Sequence, residues 1–129
     1  MSYLLELTIP CVPPNKLPKT TTNARSTWQA RLGEANKWKR KIAEYVVLGQ
    51  RTPKQPLAKA KLTLIRYASG LEPDYDNLVS TWKHVIDGLV EAKVLSDDSP
   101  AVIGQPFYKW ERSSRLQQRI FIQVQEIEE

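Results

Sequence analysis

Asp74 and Asp76 stand two residues apart in the stretch Glu72-Pro73-Asp74-Tyr75-Asp76-Asn77-Leu78. In an extended segment alternate side chains share a face, so the two carboxylates would point the same way. Carboxylates that close repel each other and rise in pKa unless a cation sits between them. Mg²⁺ suits such a pair, because it takes hard oxygen ligands at roughly 2.0–2.1 Å, usually one or two carboxylates with water and phosphate. A third carboxylate could come from Asp97-Asp98, provided the chain turns back after the intervening helix. The same residues also fit ordinary structure. Asp and Asn ahead of an apolar helix are capping residues, and Asp-Asp-Ser-Pro is a common loop. An EF-hand is excluded, since Leu78 occupies the next required oxygen position and no Gly-then-Glu register follows. Nothing places a nucleophile or a second base near His84, the only histidine, which reads as structural, and covalent Ser or Cys catalysis has no support.

The elements that must position these residues follow from hydrophobic periodicity. Residues 3–9 read as a strand stopped by Pro10 and the Pro13-Pro14 pair. Residues 15–26 have loop composition. Over 27–48 the residues Trp28, Leu32, Ala35, Trp38, Ile42, Tyr45 and Val46 recur three or four apart, which predicts a helix ended by Gly49. Residues 58–67 alternate, with Ala60, Leu62 and Leu64 on one side of a half-buried strand. A turn over 69–73 leads to a second helix from Asn77, its cap, to about Lys93, with the stripe Leu78, Trp82, Val85, Ile86, Leu89 and Val90. Two strands are expected around 101–111 and 116–125. The order β-α-β-α-β-β predicts an α/β (α+β) domain spanning 1–129: a small mixed β-sheet with two main helices packed against it.

Composition narrows the partners. Residues 1–66 carry thirteen Lys or Arg against three acids, a net +10, and residues 67–129 carry six against eleven, a net −5. A polyanion is the natural partner of the first half, and a bound divalent cation would relieve the second. The longest uncharged apolar run, Tyr45 to Leu48, is far too short to span a membrane. No secretory pattern is expected, and the lone Cys11 can form neither an internal disulfide nor a Cys-rich zinc site, which points to a reducing cytoplasm.

Three separated motifs agree with one known pattern. Asp74-Tyr75-Asp76-Asn77-Leu78, then Lys83-His84-Val85-Ile86-Asp87-Gly88-Leu89, then Asp97-Asp98-Ser99 resemble the RusA family of Holliday junction resolvases, found in bacteria and prophages. Thr8-Ile9-Pro10 and Pro13-Pro14-Asn15 are similar to that family's opening strand and Pro-Pro-Asn loop. The resemblance implies a Mg²⁺-dependent endonuclease (Mn²⁺ able to substitute) that resolves four-way DNA junctions as a homodimer. It puts the catalytic, metal-binding aspartates at Asp74, Asp76 and Asp98. The lysine is less regular: counting forward from Asp-Asn-Leu gives Ser80, and counting back from Asp87-Gly88-Leu89 gives Lys83, the only one of the two that is a cation. Asp97 would orient Asp98 or support the metal from behind its direct ligands.

Phosphate contacts are expected from Lys16, Lys19 and Arg25 in the early loop and from Lys37, Lys39, Arg40 and Lys41 on the first helix, although a basic helix face is more often simply solvated. Trp28, Trp38, Trp82 and Trp110 could stack on bases, but the first three fall at core spacing, which favours burial. Other branched DNA or RNA could serve the same chemistry. A catalytically inactive DNA-binding module, or an interaction domain with an incidental basic face, would need the acids to be caps only.

Overall fold

The computed structural model describes residues 2–13, 15–19 and 27–128. Four strands form one mixed sheet in the order β1-β4-β2-β3, with β1 (Leu4–Pro10), β2 (Ala60–Ala68), β3 (Phe107–Arg112) and β4 (Arg119–Glu126). β4 pairs antiparallel with both β1 and β2, and β2 pairs parallel with β3. A parallel pair cannot be joined by a tight turn. The connection from β2 to β3 is therefore the helical excursion that carries the acidic motifs: α2 (Tyr75–Ser80), α3 (Lys83–Glu91) and α4 (Pro100–Ile103). The remaining helix, α1 (Trp28–Ala43), lies between β1 and β2 and runs on into a π-helical turn at Glu44–Leu48.

Alternation in the strands decides which sheet face the helices cover. Leu5, Leu7 and Ile9 of β1, Ala60, Leu62 and Leu64 of β2, and Ile120, Ile122 and Val124 of β4 are all buried, as their period of two predicts. Trp38, Ile42 and Val46 descend from the α1 side at four-residue intervals, and Val85, Ile86 and Leu89 come from α3, closing a single apolar cluster. The two helices approach closely at Gly88. A Cβ there would stand 3.0 Å from Ile42 Cγ1 and 3.3 Å from the Trp38 carbonyl, so glycine lets them meet.

Several expectations are corrected. The helix expected over 77–93 is broken at Thr81-Trp82. There the Thr81 hydroxyl donates to the Leu78 carbonyl at 2.7 Å and the Ser80 hydroxyl to the Asn77 carbonyl at 3.0 Å. Adjacent hydroxyls competing for helix carbonyls weaken the ladder, and the broken turn drops Trp82 into the core, 1% exposed. Asn77 is not the cap. Asp74 takes that position and Asn77 falls inside the first turn of α2. Asp76 is helical, so it does not alternate with Asp74 on an extended segment. Trp28, expected in the core, is 67% exposed, because the first two turns of α1 extend past the sheet cluster. The strand expected from 101 starts at Phe107, since Ser99-Pro100 opens α4; Pro at the first helical position loses nothing by lacking an N–H. Gly49 follows the first helix, but Gln50 adopts the positive φ, 56°; Gly49 is needed because a Cβ there would lie 2.7 Å from the Tyr45 carbonyl oxygen.

Candidate functional site

Asp74 precedes α2 with φ −58° and ψ 152°, and its side chain makes no capping hydrogen bond. Its oxygens are thus left unused by the helix it begins. Asp76 lies in the first turn, where the partial positive charge of the helix N-terminus favours a carboxylate. Both residues are exposed. Four residues on is Ser80, so Asp76 and Ser80 share a helix face about 5–6 Å apart at Cβ.

Asp98 reaches the same region because the chain doubles back. Lys93 adopts a positive φ of 66° after α3, and the amides of Val94 and Leu95 donate to the Leu89 carbonyl at 3.0 and 3.3 Å. A parallel bridge between Leu57 and Leu95 and the Ser96 amide bond to the Leu57 carbonyl then pin the returning segment. As a result Asp98 joins Val79, Ser80, Lys83, Ile86, Ile103 and Tyr108 in lining an open depression of about 280 Å³. Ser80 and Lys83, the two alternative positions for the lysine, border one space. Asp98 is held at the start of the α4 loop by its neighbour. The Asp97 carboxylate accepts from the Asp98 backbone N–H and also bonds the Ser99 side chain, which lowers its pKa below the ordinary carboxylate value.

Lys83 is 58% exposed, and its Nζ stands 3.7 Å from Asp87 Oδ2 one turn on. An exposed i,i+4 pair of that length contributes only about 0.3–0.5 kcal/mol, so it tethers the ammonium weakly. His84, next along α3, faces away toward α1. Burial pushes its pKa down, opposed by Asp87 and Glu34 and reinforced by Lys83 and Lys39, and its Nδ1 is buried without a hydrogen-bond partner among the described residues. Tyr75, between the two aspartates, sets its ring edge-on to Tyr108 with centroids 6.3 Å apart and planes at 83°. This contact ties the head of α2 to β3 at Tyr108, a residue that lines the depression, whereas Asp74 and Asp76 themselves are not among its lining residues. Neither tyrosine was singled out from the sequence; no motif marks them, and only the parallel placement of β3 beside β2 makes them neighbours.

The three aspartates are not gathered into one cage. Among the described residues no group of three or more His, Cys, Asp or Glu side chains stands where it could hold a metal ion together. The donors have the right chemistry for Mg²⁺, exposed carboxylate oxygens without an ion-pair partner among the described residues, but they are not preassembled.

The expected phosphate contacts are divided. Arg25 lies outside the described residues, as does Pro14. Lys37 and Lys41 lean over the ring of the buried Trp38, their Nζ atoms 5.5 and 5.7 Å from its centroid. Lys39 lies on the side of α1 whose charge reaches His84, and Arg40 is exposed. Lys16 and Lys19 are exposed beside α1, where the Lys19 amide donates to Glu34 Oε1 at 3.2 Å and Arg66 Nη1 to the Pro18 carbonyl at 2.6 Å. Trp110 is half-buried under Arg112. No helix among the described residues is long and apolar enough to cross a membrane. The chain matches no protein-family model, and no curated protein matches it.

Proposed function

We propose that the chain is a Mg²⁺-dependent, structure-selective endonuclease of the RusA kind, resolving four-way DNA junctions as a homodimer in a reducing cytoplasm. The observation that carries this reading is the shared depression of Lys83 and Asp98, fifteen residues apart in sequence, beside the helix whose first turn bears Asp76. Local sequence does not require the meeting of Asp98 with Lys83.

Mg²⁺ ordinarily uses one or two protein carboxylates and completes its shell with water and substrate phosphate. An open set of donors therefore suits an ion that would arrive with the phosphodiester and be held by Asp74, Asp76 and Asp98. When bound, the ion would polarise the phosphate and lower the pKa of an attacking water. The chain's own residues do the rest. Lys83 supplies a positive charge where negative charge grows on the phosphate oxygens, the kind of electrostatic stabilisation that favours the transition state. Asp97 keeps Asp98 oriented, and Asn77, inside the first turn of α2, supports the segment carrying Asp74 and Asp76. Lys16, Lys19, Arg25, Lys37, Lys39, Arg40 and Lys41 supply phosphate contacts around this centre.

The lack of a three-carboxylate group among the described residues favours one second reading, a DNA-binding module without catalysis. A gel assay of the purified protein on junction, fork and linear duplex, with and without Mg²⁺, separates the two. Cleavage of the junction only with Mg²⁺, lost in Asp76→Asn while binding survives, is the expected result. Binding without cleavage under every metal condition would establish the second reading instead.

A further inference from the structure

The segment from Arg112 to Arg119 carries three arginines and no acid, within a half of the chain whose net charge is negative. Its backbone crosses the end of β2, because β3 and β4 flank that strand on opposite sides. The crossing is rigidly tied. The Ser113 amide donates to the Ala68 carbonyl at 3.0 Å, the Cys11 amide to the Gln118 carbonyl at 2.8 Å, and both the amide and hydroxyl of Ser69 to Gln118 Oε1. Two guanidiniums are held by aromatic rings rather than by carboxylates: Arg119 lies 3.9 Å from the Tyr67 centroid and Arg112 lies 5.6 Å from that of Trp110. Arg119 Nη1 also donates to the Gln117 carbonyl at 2.8 Å, and the remaining outward N–H groups of a guanidinium stacked this way are left for another acceptor. At the crest, in a single 3₁₀ turn, Arg115 is exposed and Leu116 is 79% exposed. Leu116 also borders an open depression of about 340 Å³ with Pro10, Val12 and Arg119.

We infer that this crossing loop is a nucleic-acid platform, in which Arg112, Arg115 and Arg119 grip phosphates and Leu116 wedges into a branch point. A rigid, acid-free arginine tip matches a phosphate backbone. A large apolar side chain held at the crest of a basic surface is what unstacks bases, and it does so most cheaply where stacking is already interrupted. The tip also lies at the end of the sheet from which the acidic segment departs. Asp74 is five residues beyond Ser69, at most about 18 Å along extended chain. The inference deepens the nuclease reading and rests on it only for the choice of a branched substrate.

The test measures binding of a four-way junction and of a continuous duplex across a salt series, without divalent metal, alongside vesicles containing phosphatidylserine. Arg112→Gln/Arg115→Gln/Arg119→Gln should weaken binding of both DNAs roughly tenfold or more and reduce the slope of log affinity against log salt by about 2–3. Leu116→Ala should leave duplex affinity unchanged and lower the preference for the junction by roughly fivefold. Arg119 packs on Tyr67, so Arg115→Gln alone, at an exposed position, serves as the second variant and should reduce the slope by about 1. Unchanged slopes in the arginine variants overturn the inference while leaving the nuclease reading intact, and so does tighter binding to the vesicles than to DNA. Loss of binding in these variants, with no cleavage by the parent protein under any metal condition, upholds the platform and sinks the nuclease.

Discussion

At the scale of single residues, the proposed chemistry depends on Lys83, which is loosely held. Its partner Asp87 sits at 3.7 Å on an exposed face, so the ion pair is nearly neutral for stability. Asp87→Asn should therefore change unfolding free energy by less than about 0.5 kcal/mol and leave junction cleavage intact. Lys83→Met should leave stability equally unchanged yet lower kcat by roughly tenfold or more, because it removes the positive charge proposed to stabilise the phosphate oxygens. Cleavage kinetics and chemical denaturation on both variants check this, and equal activity of Lys83→Met would remove the lysine from the site. His84 gives a separate, pH-dependent signal. Its folded pKa lies below the ordinary 6.5, mainly because burial disfavours the imidazolium. Between the two values the unfolded chain binds a proton that the folded chain refuses. This contribution to stability is complete above 6.5 and is lost as pH falls through 6.5 toward the folded value. Thermal unfolding should show the parent losing stability from about pH 7.5 to about pH 5.5, with a smaller loss in His84→Gln. A loss of the same size in both would exclude the histidine as its source.

At the scale of elements, the packing of α1 on α3 depends on Gly88, where any side chain meets Ile42 and the Trp38 carbonyl. Gly88→Leu should destabilise the protein by about 1–3 kcal/mol through overpacking. Gly33, in the exposed part of α1 with nothing within 4 Å of a built Cβ, should respond in the opposite direction. Gly33→Ala should stabilise by up to about 1 kcal/mol through helix propensity alone. Denaturant melts of the two variants test how tightly α1 and α3 pack at Gly88. The broken α2–α3 helix belongs to this scale as well. The sequence shows one continuous apolar stripe from Leu78 to Val90, and periodicity alone cannot report that Ser80 and Thr81 turn their hydroxyls onto helix carbonyls.

At the scale of the whole molecule, among the described residues the helices cover one face of the sheet. The other face presents Ile65, Tyr67 and Phe121 half-exposed, with Lys109 paired to Glu111 at 2.8 Å. A four-way junction has near two-fold symmetry, and a C₂ pair of chains would offer two sites to strands of like polarity. Sedimentation velocity should accordingly give a species of twice the 14.8 kDa of one chain. A monomer persisting with junction bound would refute the homodimer. Charge distribution shows the same gap between chain order and space. Counted by halves, the C-terminal part is acidic, yet the segment from Arg112 through Arg115 to Arg119 carries no acid and crosses the end of β2.

What the sequence determined by itself is what depends on neighbours in the chain. Strand faces such as Leu5-Leu7-Ile9 and Ile120-Ile122-Val124 follow from a period of two, the lower part of α1 follows from Trp38, Ile42 and Val46, and the β-α-β-α-β-β order follows from the turns between them. Tertiary structure decided what depends on residues far apart. Trp28 carries the same helical spacing as Trp38 but extends beyond the cluster that would bury it. The return of the chain after Lys93 brings Asp98 to the depression bordered by Ser80 and Lys83, and the parallel pairing of β3 with β2 supplies Tyr108 as its wall. Periodicity records which side of an element is apolar. It holds no information about where that element ends up, because a long-range meeting is settled by the packing of the whole chain at once.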